Sequence, residues 1–203
     1  TKAGPVKNHS QGSARTLLLL LPRSTYQASP YIKAANEMGC DVLVGSNHRS
    51  TLVNSHTLEL PFADPQTSAQ KITCLAKTRH IAAIFGVEET TSHIAALACA
   101  ALGLPGNPPA SIATLHDKLL FRRFLSSAGM RCPRYRPINT QAPSTPVVDY
   151  PWVIKPRALS ASRGVIRVDT EASFAAAAKR IRRLTKNNDE PVALAETYVP
   201  GSE

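Results

Sequence analysis

Aromatic side chains are scarce: five Tyr, five Phe and one Trp make up 5% of 203 residues. Proteins that hold single-stranded nucleic acid need stacking surfaces, so this scarcity argues against a nucleic-acid partner. Cysteine is also sparse. Cys40, Cys74, Cys99 and Cys132 are far apart, which excludes a zinc knuckle or a CxxC redox pair and fits four reduced thiols in a cytoplasmic protein. Long apolar runs are absent. The longest is the nine-residue Ile94–Leu102, well inside the chain; the first, Leu17–Leu21, is closed by Pro22, and both fall short of the ~18 residues that span a bilayer, Leu17–Leu21 also of the roughly 7–15 of a signal-peptide core. The chain therefore shows no membrane segment.

What is present is an ordinary globular composition, 43% apolar and 19% charged, which excludes disorder for most of the chain. The net charge of +10 is unevenly spread. Residues 1–115 hold nine Lys and Arg against six Asp and Glu, and residues 116–203 hold fifteen against eight. The second part thus favours an anionic partner: a nucleotide polyphosphate, a nucleic acid or an acidic small molecule.

Residues 1–15 lack an apolar period and read as a disordered tail. Beyond them strands and helices alternate: a strand Thr16–Leu21, a helix Pro30–Gly39, strands Asp41–Gly45 and Leu58–Phe62, a helix Pro65–Arg79, a strand Ile81–Val87 and a helix Thr90–Gly103. Continuous apolar strands in such an alternation predict a parallel sheet covered on both faces. After the loop Leu104–Pro109, one helix is expected over Ser111–Ala128. Residues 139–150 read as a Pro-rich linker or surface loop. Then come strands Trp152–Lys155 and Val165–Asp169, a helix Glu171–Leu184 and a strand Val192–Val199, an α+β arrangement with an antiparallel pair. The domain boundary is expected near 110–115, giving a first domain over 16–112 and a second over 113–203.

The first strand–helix turn, Pro22 to Ser29, contains no glycine. A dinucleotide site needs glycine there so that backbone can approach the pyrophosphate, and no P-loop motif occurs anywhere. The first domain has the rhythm of a nucleotide-binding fold without its phosphate turn. Arg23, Ser24, Glu88 and Glu89 follow strands one and four, where a second substrate could sit, although exposed loop residues would look the same.

Three features of the second part could hold a polyphosphate. Lys155 ends an apolar strand, a fixed position for a point charge, and a loop of small residues with Ser160, Ser162, Arg163 and Gly164 follows it. Lys118 lies in the first turns of a helix, where an anion is favoured. Finally, Glu196, Thr197, Tyr198, Val199 and Glu203 form a strand end whose backbone can pair with a purine edge and whose later carboxylate can accept from ribose hydroxyls. A basic helix, Lys179-Arg180-Ile181-Arg182-Arg183, carries Phe174, Ile181 and Leu184 on one face, so its cations read as a solvated face.

In order and spacing, GNPPASIATLHDKLLFRRFLSSAGM, YPWVIKPRALSASRGVIRV and ALAETYVPGSE resemble the ATP-grasp superfamily, and IFGVEETTSHIAALACAALGLPG resembles the end of its preceding Rossmann-like domain. The similarity covers residues 16–203 and is nearest to the biotin carboxylase-like and carboxylate–amine ligase group. It implies a Rossmann-like pre-ATP-grasp domain followed by the first α+β subdomain of an ATP-grasp fold, truncated. It also implies an ATP-dependent ligase that activates a small carboxylate as an acyl phosphate and joins it to an amine or other nucleophile, with ATP and Mg2+ as cofactors.

By the same resemblance Lys118 and Lys155 would contact the α- and β-phosphates, and Ser160, Ser162, Arg163 and Gly164 would cover the β- and γ-phosphates. Glu196 would lie by the adenine amino group, the backbone of Thr197 or Tyr198 and of Val199 would pair with the base, and Glu203 would bind the ribose. The phosphate loop is poorer in glycine than the family's. The family's metal ligands lie on a later sheet, so they are expected beyond residue 203, and the chain as given is expected to be inactive alone and to bind nucleotide weakly. A non-catalytic relic or regulatory module is the alternative, ahead of a basic nucleic-acid-binding protein. A homo-oligomer stays open.

Overall fold

The computed structural model describes residues 15–23, 25, 28–48, 57–143, 149–185 and 191–201. The expectations for the tail, Arg15 excepted, for Ser24 and for Glu203 lie outside these residues. Packing divides the chain into two compact units, Thr1–Pro109 and Ala110–Glu203.

The first unit runs β1(Thr16–Leu20), α1(Ala28–Glu37), β2(Asp41–Ser46), β3(Thr57–Glu59), α2(Pro65–Leu75), β4(Ile81–Gly86) and α3(Glu89–Leu102). Its four strands form a parallel sheet in the order β3-β2-β1-β4. The unbroken leucine run of β1 follows from its central position. Leu18 and Leu20 enter a core with Ile72, Ile94 and Ala98, while Leu19 and Leu21 enter another with Val44, Tyr31 and Ile32. Successive side chains point to opposite faces, so a strand buried on both faces must be apolar at every position.

β1 lies between β2 and β4, so the strand order reverses there and the carboxyl ends of β1 and β4 flank a topological switch point. At that end Gly86 allows α3 to approach. A Cβ on Gly86 would lie 2.6 Å from the Thr91 carbonyl carbon and oxygen. Gly103, at φ 66°, closes α3 in the left-handed conformation that favours glycine.

The second unit contains α4(Pro109–His116), which starts at the boundary, α5(Lys118–Ser127), β5(Tyr135–Asn139), β6(Trp152–Pro156), β7(Ile166–Val168), α6(Glu171–Leu184) and β8(Val192–Thr197). An antiparallel sheet takes the order β5-β8-β6-β7. One face of it packs on α6: Ile138, Trp152, Ile154, Val168, Ala193 and Ala195 meet Phe174, Ala177 and Ile181. Thr170 caps α6 by accepting from the Ser173 N–H. The molecule is thus a mixed α/β structure with one parallel and one antiparallel sheet. Among the described residues no helix is long and apolar enough to cross a membrane.

Four expectations need correction. The single helix over 111–128 is two helices, because the Asp117 carboxylate accepts from the Leu119 and Leu120 N–H groups and starts α5 afresh. The third strand is Thr57–Glu59 rather than Leu58–Phe62, because only three residues pair with β2. The helix after Pro65 ends at Leu75 rather than Arg79. Its last N–H groups turn back to Ile72, Cys74 and Leu75 carbonyls, and the Arg79 guanidinium leaves it to hold Asp41 at 2.6 Å. A strand, β5, was missed before the expected linker. Pro137 disguises it, and Pro is tolerated here because β5 is an edge strand.

Candidate functional site

In β6 the residues Trp152, Ile154 and Pro156 are buried toward α6, so alternation turns Val153 and Lys155 to the opposite face. Glu196 of β8 is the register partner of Val153 and shares that face, diagonal to Lys155. The Lys155 Nζ lies 2.5 Å from Glu196 Oε2, with the lysine side chain 16% and the glutamate 6% exposed. Arg122, one turn beyond Lys118 on α5, reaches the same carboxylate: its Nε donates to Oε1 at 2.7 Å and a terminal nitrogen to Oε2 at 3.4 Å. A carboxylate this buried is tolerable only because both oxygens are engaged by cations.

Lys118 is the first residue of α5. Its backbone N–H donates to the Arg157 carbonyl at 3.0 Å. Its Nζ donates to the Leu159 carbonyl at 2.6 Å and, more distantly, to that of Arg157 at 3.4 Å. The Arg157 guanidinium turns back onto Asp117 and forms a forked ion pair. Burial alone would raise the Asp117 carboxyl. The Arg157 hydrogen bond and charge, together with the Leu119 and Leu120 N–H groups, outweigh it and leave the group below the ordinary carboxylate range. The helix start is thus locked to the segment just after Lys155.

The loop between β6 and β7 is held in unusual backbone. Ala161, Ser162 and Gly164 have φ of 54°, 55° and 78°. For the first two this left-handed conformation is strained, and such strain concentrates where a loop must meet a ligand. Arg163 N–H donates to Ser160 O and Val165 N–H to Ser162 O, both at 3.2 Å, which keeps the loop tight. Ser160 is half-buried, and Ser162 and Arg163 are exposed.

The strand end is partly committed to the protein. The N–H groups of Thr197 and Tyr198 donate to the carbonyls of Arg134 and Pro151. The Tyr198 ring lies 4.3 Å from the Arg167 guanidinium carbon. Val199 is 64% exposed. In the first unit, Arg23 is exposed and its N–H donates to the Asn47 side chain at 3.2 Å. Glu88 precedes the first turn of α3 and Glu89 lies in it, each a favourable place for a carboxylate.

The structure therefore gathers Lys118, Lys155, Glu196 and the 160–164 loop around β6. It adds Asp117, Arg122 and Arg157, which sequence reasoning did not single out. The four-residue spacing of Lys118 and Arg122 on one helix stripe was the available signal for Arg122. Apart from the exposed Arg163 of the loop, these groups comprise four cations and two carboxylates, an excess of two positive charges in a partly buried place. Such an excess suits an anion. Among the described residues no group of three His, Cys, Asp or Glu could hold a metal ion.

In fold, the chain resembles the N-terminal part of solved ATP-grasp ligases. The chain is similar to an L-amino acid ligase from Bacillus licheniformis, with a TM-score of 0.74 and 22% identity over 92% of this chain and 45% of that one. It is similar to an N5-carboxyaminoimidazole ribonucleotide synthetase solved with ADP, with a TM-score of 0.70 and 15% identity over 92% of this chain and 48% of that one. It is also similar to the D-alanine–D-alanine ligase of Bacillus anthracis, with a TM-score of 0.63 and 14% identity over 93% of this chain and 59% of that one. The chain thus spans about half the length of these solved structures. No protein-family model matches the sequence, and no curated protein sequence matches it.

Proposed function

We propose that this chain carries the phosphate- and base-binding part of an ATP-dependent ligase that joins a small carboxylate to an amine or another nucleophile. The observation that carries this reading is the convergence of Lys118 and Lys155 on β6 and its loop, with an unbalanced positive charge, in a fold shared with ligases. Bound ATP would supply the phosphoryl group that activates the carboxylate. The residues here bind and orient. Lys118, fixed by the Arg157 and Leu159 carbonyls, and Lys155, fixed by Glu196, offer two ammonium groups as point charges for phosphate oxygens. Ser160, Ser162, Arg163 and Gly164 form the covering loop.

Tyr198 and Val199 flank the base in this reading, and Thr197 contributes backbone. Glu196 holds Lys155 and Arg122 in place, and its Oε1, which accepts one bond from Arg122, keeps capacity to accept from a purine amino group. Among the described residues no cluster of His, Cys, Asp or Glu could hold Mg2+. The carboxylate and the acceptor belong to the same proposal.

The test is Mg·ATP-dependent thermal stabilisation of the protein, wild type against Lys155→Ala and Lys118→Ala. Ligand binding to the native state raises the melting temperature by mass action, so the wild type should shift upward with ATP concentration and both variants should shift less. Because Lys155→Ala also leaves Glu196 underpaired, its baseline temperature falls, and only the ATP-dependent increment counts. Equal increments in all three proteins remove both lysines from the site.

A further inference from the structure

The basic stretch of α6 has a consequence separate from the nucleotide reading. A cleft of about 420 Å3 lies where the last turns of α6 meet the end of β5 and the start of β8. It is lined by Lys179, Arg182, Arg183 and Thr185 from the helix side and by Thr140, Gln141 and Pro191 from the sheet side. Its floor is rigid, because Thr140 donates from both its N–H (2.7 Å) and its hydroxyl (3.1 Å) to the Pro191 carbonyl. The Thr185 hydroxyl donates to the Ile181 carbonyl. That leaves the three cations and the Gln141 carboxamide as donors for a bound group.

Lys179, Arg182 and Arg183 stand at i, i+3 and i+4, hence side by side on one helical stripe. Like charges at that spacing repel. None of the described lining residues is acidic, and no described residue forms an ion pair with any of the three. The carbonyl end of the helix accounts for Arg182 and Arg183, which lie in its last turn. It does not account for Lys179, a turn earlier, or for a concave wall in front of all three.

The cleft is not an extension of the Lys155 site. It lies toward the β5–β8 end marked by Asn139 and Val192, whereas Glu196 pairs with Tyr135 at the other end, four residues along. At the rise of a strand that is roughly 13 Å, and α6 covers the opposite face of the sheet.

We propose that this cleft binds a compact oxyanion carrying two or more phosphoryl groups. Guanidinium forks match phosphate oxygens bidentately, and the volume exceeds what a single phosphate needs. The phosphoryl groups could come from an inorganic polyphosphate or from the tail of a nucleotide.

The test is titration of isotope-labelled protein with inorganic phosphate, tripolyphosphate and ADP, followed by backbone amide shifts in NMR spectra. Tripolyphosphate should shift the amides of Thr140, Gln141 and Arg182 to Thr185 saturably and more tightly than phosphate. An equal response to ADP would assign the source to nucleotides, and a response to tripolyphosphate alone to the inorganic chain. The double variant Arg182→Glu/Arg183→Glu should bind at least about tenfold more weakly, and Arg182→Gln less weakly, while Lys155→Ala leaves these shifts unchanged. Three results would each overturn the proposal: shifts confined to residues around Lys118 and Lys155, equal affinity in the charge-reversed variant, or tighter binding of a short single-stranded oligonucleotide than of tripolyphosphate at these amides.

Discussion

Replacing Glu196 with Gln removes the negative charge that holds Arg122 and Lys155 together while keeping the side chain's shape. Two cations with side chains 19% and 16% exposed would then face each other across a neutral amide. Breaking a buried pair by removing one partner costs about 3–5 kcal/mol, because the remaining charge keeps its desolvation penalty. Residual exposure of the two cations places the expected loss near the lower end, about 3 kcal/mol.

The assay is built into the chain. Trp152, the only tryptophan, is buried in the core of the second unit, so its fluorescence follows that unit alone. With a urea dependence of about 2 kcal/mol per molar, the midpoint of the Trp152 transition should fall by roughly 1.5 M. Arg122→Met should cost less, because the Lys155–Glu196 pair survives it, and the double variant Arg122→Met/Glu196→Gln should lose less than the two single losses combined. A Glu196→Gln midpoint within experimental error of the wild type, or strict additivity of the pair, would refute the picture of one carboxylate bridging two cations.

Gly86→Ala should destabilise the first unit by about 1–3 kcal/mol, since the new methyl meets Thr91 backbone rather than a movable side chain; far-ultraviolet circular dichroism on heating reads this, and an unchanged profile contradicts it. Asp117, held below its ordinary range, contributes stability that is complete above its unfolded pKa of about 3.8 and is lost as pH falls through its lower folded value. Asp117→Ala should therefore lower the Trp152 urea midpoint at neutral pH and flatten the acid side of the stability profile below pH 4. Burial pushes the Cys99 thiol up, whereas Cys74 is exposed. Maleimide labelling read by peptide mass spectrometry should modify Cys74 first and Cys99 last, and the reverse order would contradict the burial of α3.

Sequence reading succeeds here where one residue type answers to one local demand. The helix Glu171–Leu184 is expected and observed with the same ends, because Phe174 and Ile181 set its buried face and Thr170 caps it. The leucines of β1 announce a strand covered on both sides. Failures arise where a partner distant in the chain decides the outcome. Asp117 breaks a helix that periodicity would continue, and Arg157, 40 residues later, shares its carboxylate. β5 is invisible without β8 to pair with. Lys155 could be placed at the end of an apolar strand from sequence, but its partner Glu196 emerges only once β8 lies beside β6. The 179–183 cations are exposed, as the expectation of a solvated face has it, and what the sequence could not show is the wall that Thr140, Gln141 and Pro191 raise beside three of them.

The tie between the start of α5 and the segment after β6 closes a stretch of 39 residues. Bringing such distant ends together carries an entropic cost that grows with the logarithm of loop length, about 3 kcal/mol for this span before any constant. Of the stretch it closes, β5 and β6 meet only through β8, so the clasp is expected to gain its stability after that sheet has formed and to be among the first contacts of the second unit to open. Native-state amide exchange would find the Lys118 and Leu119 protons released well before those of Ile154 and Ala195. In that ordering Lys118, Arg157 and the 160–164 loop are draped over a finished framework to which Lys155 and Glu196 themselves belong, and can loosen without unfolding it.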